Sequence, residues 1–307
     1  MNPLRLFFSA LTIVFSLSAL DASERFEFEE GHMGVRVRLV LYAESSEVAE
    51  KAAKEAFASF HALNEIMSDY DSESELSLLD ASRGWICISD DLFTVLRAAK
   101  HYCALSDGAF DVTAGPMVRL WRRSRRLQKL PREQDIEQAK QLVGNHLWEL
   151  DEPTQSVRLL KAGMRFDLGA IGKGYAVDRA FEIIQKHGIS SQLVDAGGDF
   201  RVGAPPPDTE GWKIAKENET VLLKESAMAT SGERFQYVDI EGVRYAHIVD
   251  PKTGLGMTRL GTVHVTALSA MEADALATAV IILGKEKGKA LIDRFPNVTM
   301  EVVEPEH

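Results

Sequence analysis

The chain of 307 residues has little from which to build thiol or zinc chemistry. Cys87 and Cys103 are its only cysteines, and neither has a second cysteine at metal-ligand spacing. Exported, the two could pair. Their apolar surroundings, Trp85-Ile86-Cys87-Ile88 and Tyr102-Cys103-Ala104, favour two buried free thiols. Positive charge is also scarce, and a net charge of -11 argues against a nucleic-acid partner. There is no repeat and no low-complexity tract. No apolar run after residue 22 is long enough to span a membrane. The early run Leu6 to Leu20, behind Arg5, reads as the core of a secretory signal over residues 1–22, with Ala22 a candidate cleavage point. A retained anchor is the alternative. No cysteine near the end of that run offers a lipid attachment point. The expectation is one domain over residues 23–307, located in the periplasm.

Two familiar glycine fingerprints are missing as well. Between Arg165 and Asp178, three glycines interrupt the chain: Gly169, Gly172 and Gly174. Their spacing is neither that of a P-loop nor that of the dinucleotide motif. Before them, Met164, Phe166 and Leu168 alternate with polar residues, which predicts a strand. After them, Ala176, Ala180, Phe181 and Ile184 predict a helix closed by Gly188. Such a turn lets backbone approach a ligand, and the helix N-terminus beyond it favours anions. Lys173 adds a point charge suited to phosphate. A plain strand-to-helix turn with a surface lysine is the alternative.

What remains reads as alternating helices and strands. Phe26 to Tyr42 is strand-like. Ser45 or Ser46 caps a helix whose core stripe runs from Val48 to Met67. Tyr70, just beyond it, is a candidate stacking platform. Ser89 caps a second helix that stops at Asp107-Gly108, followed by the small-residue turn Ala109 to Pro116, a candidate ligand edge. Arg119 to Lys129 is strongly basic: a solvated face, or a contact for anionic lipid or phosphate. A short helix spans Pro131 to Val143, and Leu147–Leu150 with Val157–Leu160 forms a hairpin. Gln192 to Val194 is a buried strand leading into Asp195-Ala196-Gly197-Gly198-Asp199, where paired glycines suggest close backbone approach. Met228 to Gly232 reads as a small-residue turn. Phe235–Ile240 and Val243–Val249 form a hairpin on Glu241-Gly242, with His247 near its end. The last helix runs from Ala270 to Leu283. Asp274 and Thr278 share one of its faces, and a carboxylate with a hydroxyl there suits Mg²⁺. The alternative is an aspartate favoured by the helix dipole and a threonine bonded to the preceding turn.

Five of these stretches in order resemble the ApbE family of FAD:protein FMN transferases: Met67-Ser68-Asp69-Tyr70, Gly108-Ala109-Phe110-Asp111, Asp167 to Asp178, Ser231-Gly232 with His247 to Gly254, and Ala273 to Thr278. The resemblance implies an α+β fold, with mixed sheets and flanking helices in two interleaved subdomains and FAD held between them. It implies Mg²⁺ on Asp274, Thr278 and the backbone carbonyl of Ala170. It implies FAD against Met33, Tyr70, Ala109, Phe110, Asp111, Asp167, Lys173 and Ile248. Lys173 and His247 are the implied catalytic side chains. The implied reaction moves FMN from FAD to a Thr or Ser hydroxyl of an exported or membrane-associated flavoprotein and releases AMP. FAD hydrolysis to FMN and AMP, and flavin binding without catalysis, are the alternatives. Two positions depart from the family pattern: Val35, where Thr is usual, and Asp80, where Asn is frequent.

Overall fold

The computed structural model describes residues 23–216, 219–232, 237–258 and 261–304. The secretory-signal reading of residues 1–22 therefore lies outside the described residues, as does Phe235.

The chain opens with β1 (Glu24–His32) and β2 (Val35–Ala43). They form an antiparallel hairpin on Met33-Gly34, both in the left-handed region, so the strand expected over Phe26 to Tyr42 is two strands. Next come α1 (Ser46–Met67), capped by Ser45, α2 (Glu75–Ala81) and β3 (Trp85–Cys87). Ser89 caps α3 (Asp90–Leu105), and α4 (Gly115–Leu127) and α5 (Glu133–Lys140) follow. The expected hairpin is β4 (Trp148–Asp151) with β5 (Ser156–Leu159), and β3 joins it as a third strand. Then come α6 (Gly172–Lys186), β6 (Gln192–Ala196), β7 (Asp199–Val202), β8 (Trp212–Ala215), β9 (Thr220–Leu223) and β10 (Ser226–Gly232). The chain ends with β11 (Tyr237–Ile240), β12 (Val243–Ala246), β13 (Thr262–Ala267), α7 (Ala270–Leu283), α8 (Lys285–Ile292) and β14 (Thr299–Val303).

The α+β architecture is organised by a seven-stranded antiparallel sheet in the order β1-β2-β6-β7-β10-β13-β14. In β2, Val37, Leu39 and Leu41 face the main core under α1, α6 and α7, while Val40 joins a smaller cluster with Trp212 and Phe200 on the other face. A third cluster packs Met117 and Trp121 of α4 against Ile240 and Tyr245 of the β11–β12 ribbon. No helix among the described residues is long and apolar enough to cross a membrane.

Several local expectations change. Met164 to Leu168 alternates in burial but joins no sheet, because its N–H groups are taken elsewhere. Phe166 N donates to Asp80 Oδ1 at 3.1 Å, and Asp167 N donates to the Val112 carbonyl at 2.7 Å. Met228 to Gly232 is not a turn but the C-terminal part of β10: all five residues pair with β13, and Met228 also pairs with Phe200 of β7. The paired glycines are the β6–β7 turn, and a Cβ on Gly197 would lie 2.9 Å from Val35 Cγ1, so that glycine serves the packing of the turn against β2. A Cβ on Gly174 would lie 2.3 Å from the Ala270 carbonyl oxygen, so that glycine serves the close crossing of α6 and α7. Asp178 of α6 secures the crossing by accepting the Ala270 and Met271 N–H groups, each at 2.9 Å. Cys103 is buried, but Cys87 is exposed at the edge of β3, so only one of the two thiols is in the core; both are free.

The Asp80 departure has a physical consequence. Burial pushes its carboxyl up to about 7, against a bond from Phe166 N that pulls the other way. The folded state thus holds this proton over a range where the unfolded chain releases it. Stability falls as pH rises from about 4 to about 7 and is level above, by on the order of 2–4 kcal/mol. Asp80→Asn keeps an oxygen for Phe166 N and carries no charge. It should raise the melting temperature at pH 8 and remove this part of the pH dependence, as thermal denaturation across that range would reveal. A variant with the parent's pH profile would show that Asp80 is not the group responsible.

Candidate functional site

A cleft of about 300 Å³ lies where the main core meets the α4 and β11–β12 cluster. One wall is built by α6, β10 and α7, with β7 behind Lys173. Lys173, in the first turn of α6, reaches the buried Asp199 at the start of β7, and its Nζ is 4.0 Å from Asp274 Oδ2. The same Oδ2 accepts Gly174 N–H at 3.2 Å, so the α6 N-terminus points at the carboxylate. Burial, then the charge of Asp199, pushes the Asp274 carboxyl up, and Lys173 and Gly174 N–H pull it back. Burial alone would lower the Lys173 ammonium, but Asp199 and Asp274 together hold it above its usual range. One turn along α7 from Asp274, Thr278 Oγ1 sits 3.4 Å from Ser231 Oγ of β10.

The facing wall comes from the loop before α4, from α4 itself and from the segment before α6. Ala109, Phe110 and Asp111 line it. Asp111 Oδ1 accepts Thr113 N–H and Oγ1–H at 2.8 and 2.6 Å, which folds that loop tightly. Arg122 ties the wall together. It pairs with Asp69, bonds Asp167 Oδ2 at 2.8 Å and lies 4.5 Å over the Tyr70 ring. Burial pushes the Asp167 carboxyl up, and the Arg122 charge opposes it. The floor is His247, Ile248 and Val249. Their backbone is fixed by Ala246 N donating to the Met257 carbonyl at 2.8 Å and Met257 N donating to the Ile248 carbonyl at 2.9 Å.

The cleft therefore gathers Tyr70, Ala109, Phe110, Asp111, Asp167 and Ala170 with Lys173, His247, Ile248, Asp274 and Thr278. It does not gather Met33, which is held in the β1–β2 turn and packs on the main core. Val35, beside it, is likewise absent from the wall. Arg122, Arg125, Thr230 and Ser231 also line the cleft and Asp199 stands behind Lys173, though none is singled out in the sequence as a site residue. Arg122 and Arg125 lie within the basic stretch, and Thr230 and Ser231 within the segment expected to be a turn. Among the described residues, no group of three or more His, Cys, Asp or Glu side chains could hold a metal. Asp274, Thr278 and Ala170 line the same cleft and offer one carboxylate, one hydroxyl and one backbone carbonyl. That set fits Mg²⁺, which keeps several waters and takes its remaining ligands from substrate phosphate.

Tyr70 is 80% exposed with Arg122 on one face of its ring, so the other face is free to stack on a planar ligand. With FAD as the ligand the resemblance implies, Tyr70→Ala should raise its Kd by about tenfold with the melting temperature unchanged. A flavin-fluorescence titration giving parental affinity would remove Tyr70 from the site.

An α+β body whose cleft sets Lys173, two arginines and His247 among three carboxylates and several hydroxyls, edged by an open aromatic ring, is the frame of an enzyme, not of a structural module. The chain belongs to the ApbE family, whose model matches residues 33–302. It is 32% identical over 245 residues to a FAD:protein FMN transferase of Vibrio cholerae, covering 75% of this chain and 73% of that one. A FAD:protein FMN transferase of Treponema pallidum is 30% identical over 300 residues, covering 88% and 82%. Among solved structures, the apo flavinyl transferase ApbE of Pseudomonas stutzeri superposes with a TM-score of 0.84 at 28% identity, covering 94% of each chain.

Proposed function

We propose that this enzyme transfers FMN from FAD to a Thr or Ser hydroxyl of a partner flavoprotein, releases AMP and depends on Mg²⁺. The observation that carries the reading is the convergence of Lys173, Asp274, Thr278 and His247 on one cleft that also presents Tyr70. Relatives that share most of the chain bear the same activity in their names.

In this reading the acceptor oxygen attacks the phosphorus of the FMN half. The bond from that phosphorus to the bridging oxygen breaks, and AMP leaves with the electron pair. His247, on the cleft floor, takes the hydroxyl proton. Lys173, held by Asp199, lies against the charge that grows on the departing phosphate. Asp274, Thr278 and the Ala170 carbonyl would hold Mg²⁺, which supplies charge neutralisation at the pyrophosphate. Tyr70 and Phe110 orient the aromatic ends of FAD, and positioning favours a protein hydroxyl over mobile water. The acceptor belongs to the exported or membrane-associated flavoproteins, in keeping with a secretory signal over residues 1–22 and a periplasmic location.

The test is chromatographic detection of AMP from FAD. AMP should appear only with acceptor present, and EDTA should stop it. AMP formed equally fast with EDTA would exclude the metal, and AMP formed equally fast without acceptor would exclude transfer as the reaction.

A further inference from the structure

The basic stretch on α4 divides between two faces. Met117, Trp121 and Ser124 are buried, and Arg122 and Arg125 turn to the FAD cleft. Arg119, Arg123 and Arg126 remain exposed on the outer face, where their spacing makes them neighbours. With Pro116, Leu120 and Arg122 they form one open, continuous face of α4. Among the described residues these three arginines have no ion pair; Arg123 acts at a distance on Asp135, which Arg132 already engages. Three uncompensated like charges on one face repel one another, on a chain whose net charge is -11. The helix dipole accounts for Arg126 in the last turn but not for Arg119 or Arg123.

We infer that this arginine face docks an acidic segment of the acceptor protein, next to the hydroxyl that receives FMN. The inference rests on the transferase reading above. Arg122 borders both this face and the cleft, so a peptide held on the arginines lies beside the reaction site. Arginine pairs carboxylates through two parallel bonds, which suits the Asp and Glu side chains of a peptide. A bilayer gains only about 1 kcal/mol from each arginine, and the helix offers little to insert: Trp121 is buried and Leu127 is the one large apolar side chain exposed on α4. Millimolar-range binding of that kind would not hold the enzyme at a membrane, whereas tethering of a peptide beside its own target hydroxyl raises the effective concentration of that hydroxyl.

The test uses the FAD-loaded enzyme and a fluorescein-labelled peptide with a run of Asp and Glu beside a single Thr, read by anisotropy. The combined Arg119→Gln, Arg123→Gln, Arg126→Gln variant should bind this peptide about tenfold more weakly, with unchanged FAD affinity and a shallower salt dependence. The same charge change at the exposed Lys51, Lys54 and Lys186 should have no such effect. Equal peptide affinity in parent and arginine variant overturns the proposal. So does an equal loss in the lysine variant, which would mean bulk charge, and so does an arginine variant that keeps the peptide but loses co-sedimentation with phosphatidylglycerol vesicles. Flavin on the peptide Thr is read separately. Binding through α4 without any transfer overturns the transferase reading and leaves the docking face; transfer with unaltered affinity in the arginine variant overturns the docking face alone.

Discussion

The Asp274→Asn enzyme should fold and fail to turn over. Asparagine keeps an oxygen for Gly174 N–H and the shape of the side chain, so the α6–α7 crossing is preserved. It removes the only carboxylate proposed as a Mg²⁺ ligand, and the charge that faces Lys173 across 4.0 Å. Loss of one preorganised electrostatic partner typically costs a hundred- to a thousandfold in rate. A metal that has lost its one charged protein ligand should cost at least about that much. The melting temperature should hold, because the buried carboxylate is strained by the nearby Asp199 charge. Circular dichroism and AMP release measured on the same preparation separate the two effects. Near-parental turnover would mean that the metal, or the reaction centre, is elsewhere.

Lys173→Met should be severe in a different way. Asp199 and Asp274 are 3% and 5% exposed in their side chains, and Lys173 is the cation between them. Removing one partner of a buried pair leaves an uncompensated charge and costs about 3 kcal/mol or more. Among the described residues, Asp199 would retain only the long bond from Thr230 N at 3.4 Å. The single variant should therefore lose both activity and several degrees of melting temperature. Adding Asp199→Asn should return most of the stability and none of the activity. If the double variant recovered turnover, Lys173 would have a structural role alone; if the single variant melted like the parent, the pair would not be load-sharing in the folded state.

Much of this was readable in the chain, and the reasons differ by element. Helices α1, α3, α6 and α7 carry their own signals: serine caps before the first, second and last, and left-handed glycines after α6 and α7. Asp274 and Thr278 were legible because helical spacing puts them on one face. Strand β10 was not, since Ala227 to Gly232 has none of the bulky β-branched alternation that marks a strand; β7 and β13 make it one. Arg122 gave no signal beyond its charge, because its partners Asp69 and Asp167 lie 53 and 45 residues away in sequence. Gly174 was read as room for a ligand, whereas its neighbour is the backbone of α7. In Asp195 to Asp199 the glycines are the legible signal, whereas the ion pair with Lys173 is made by the aspartate that follows them.

The most direct test of the central claim is the intact mass of a candidate acceptor flavoprotein after incubation with this enzyme, FAD and Mg²⁺. The expected result is a gain of one FMN less one water per acceptor, matched one for one by AMP and lost when the acceptor Thr is changed to Ala. Free FMN and AMP with no change in acceptor mass would contradict it and identify the reaction as FAD hydrolysis.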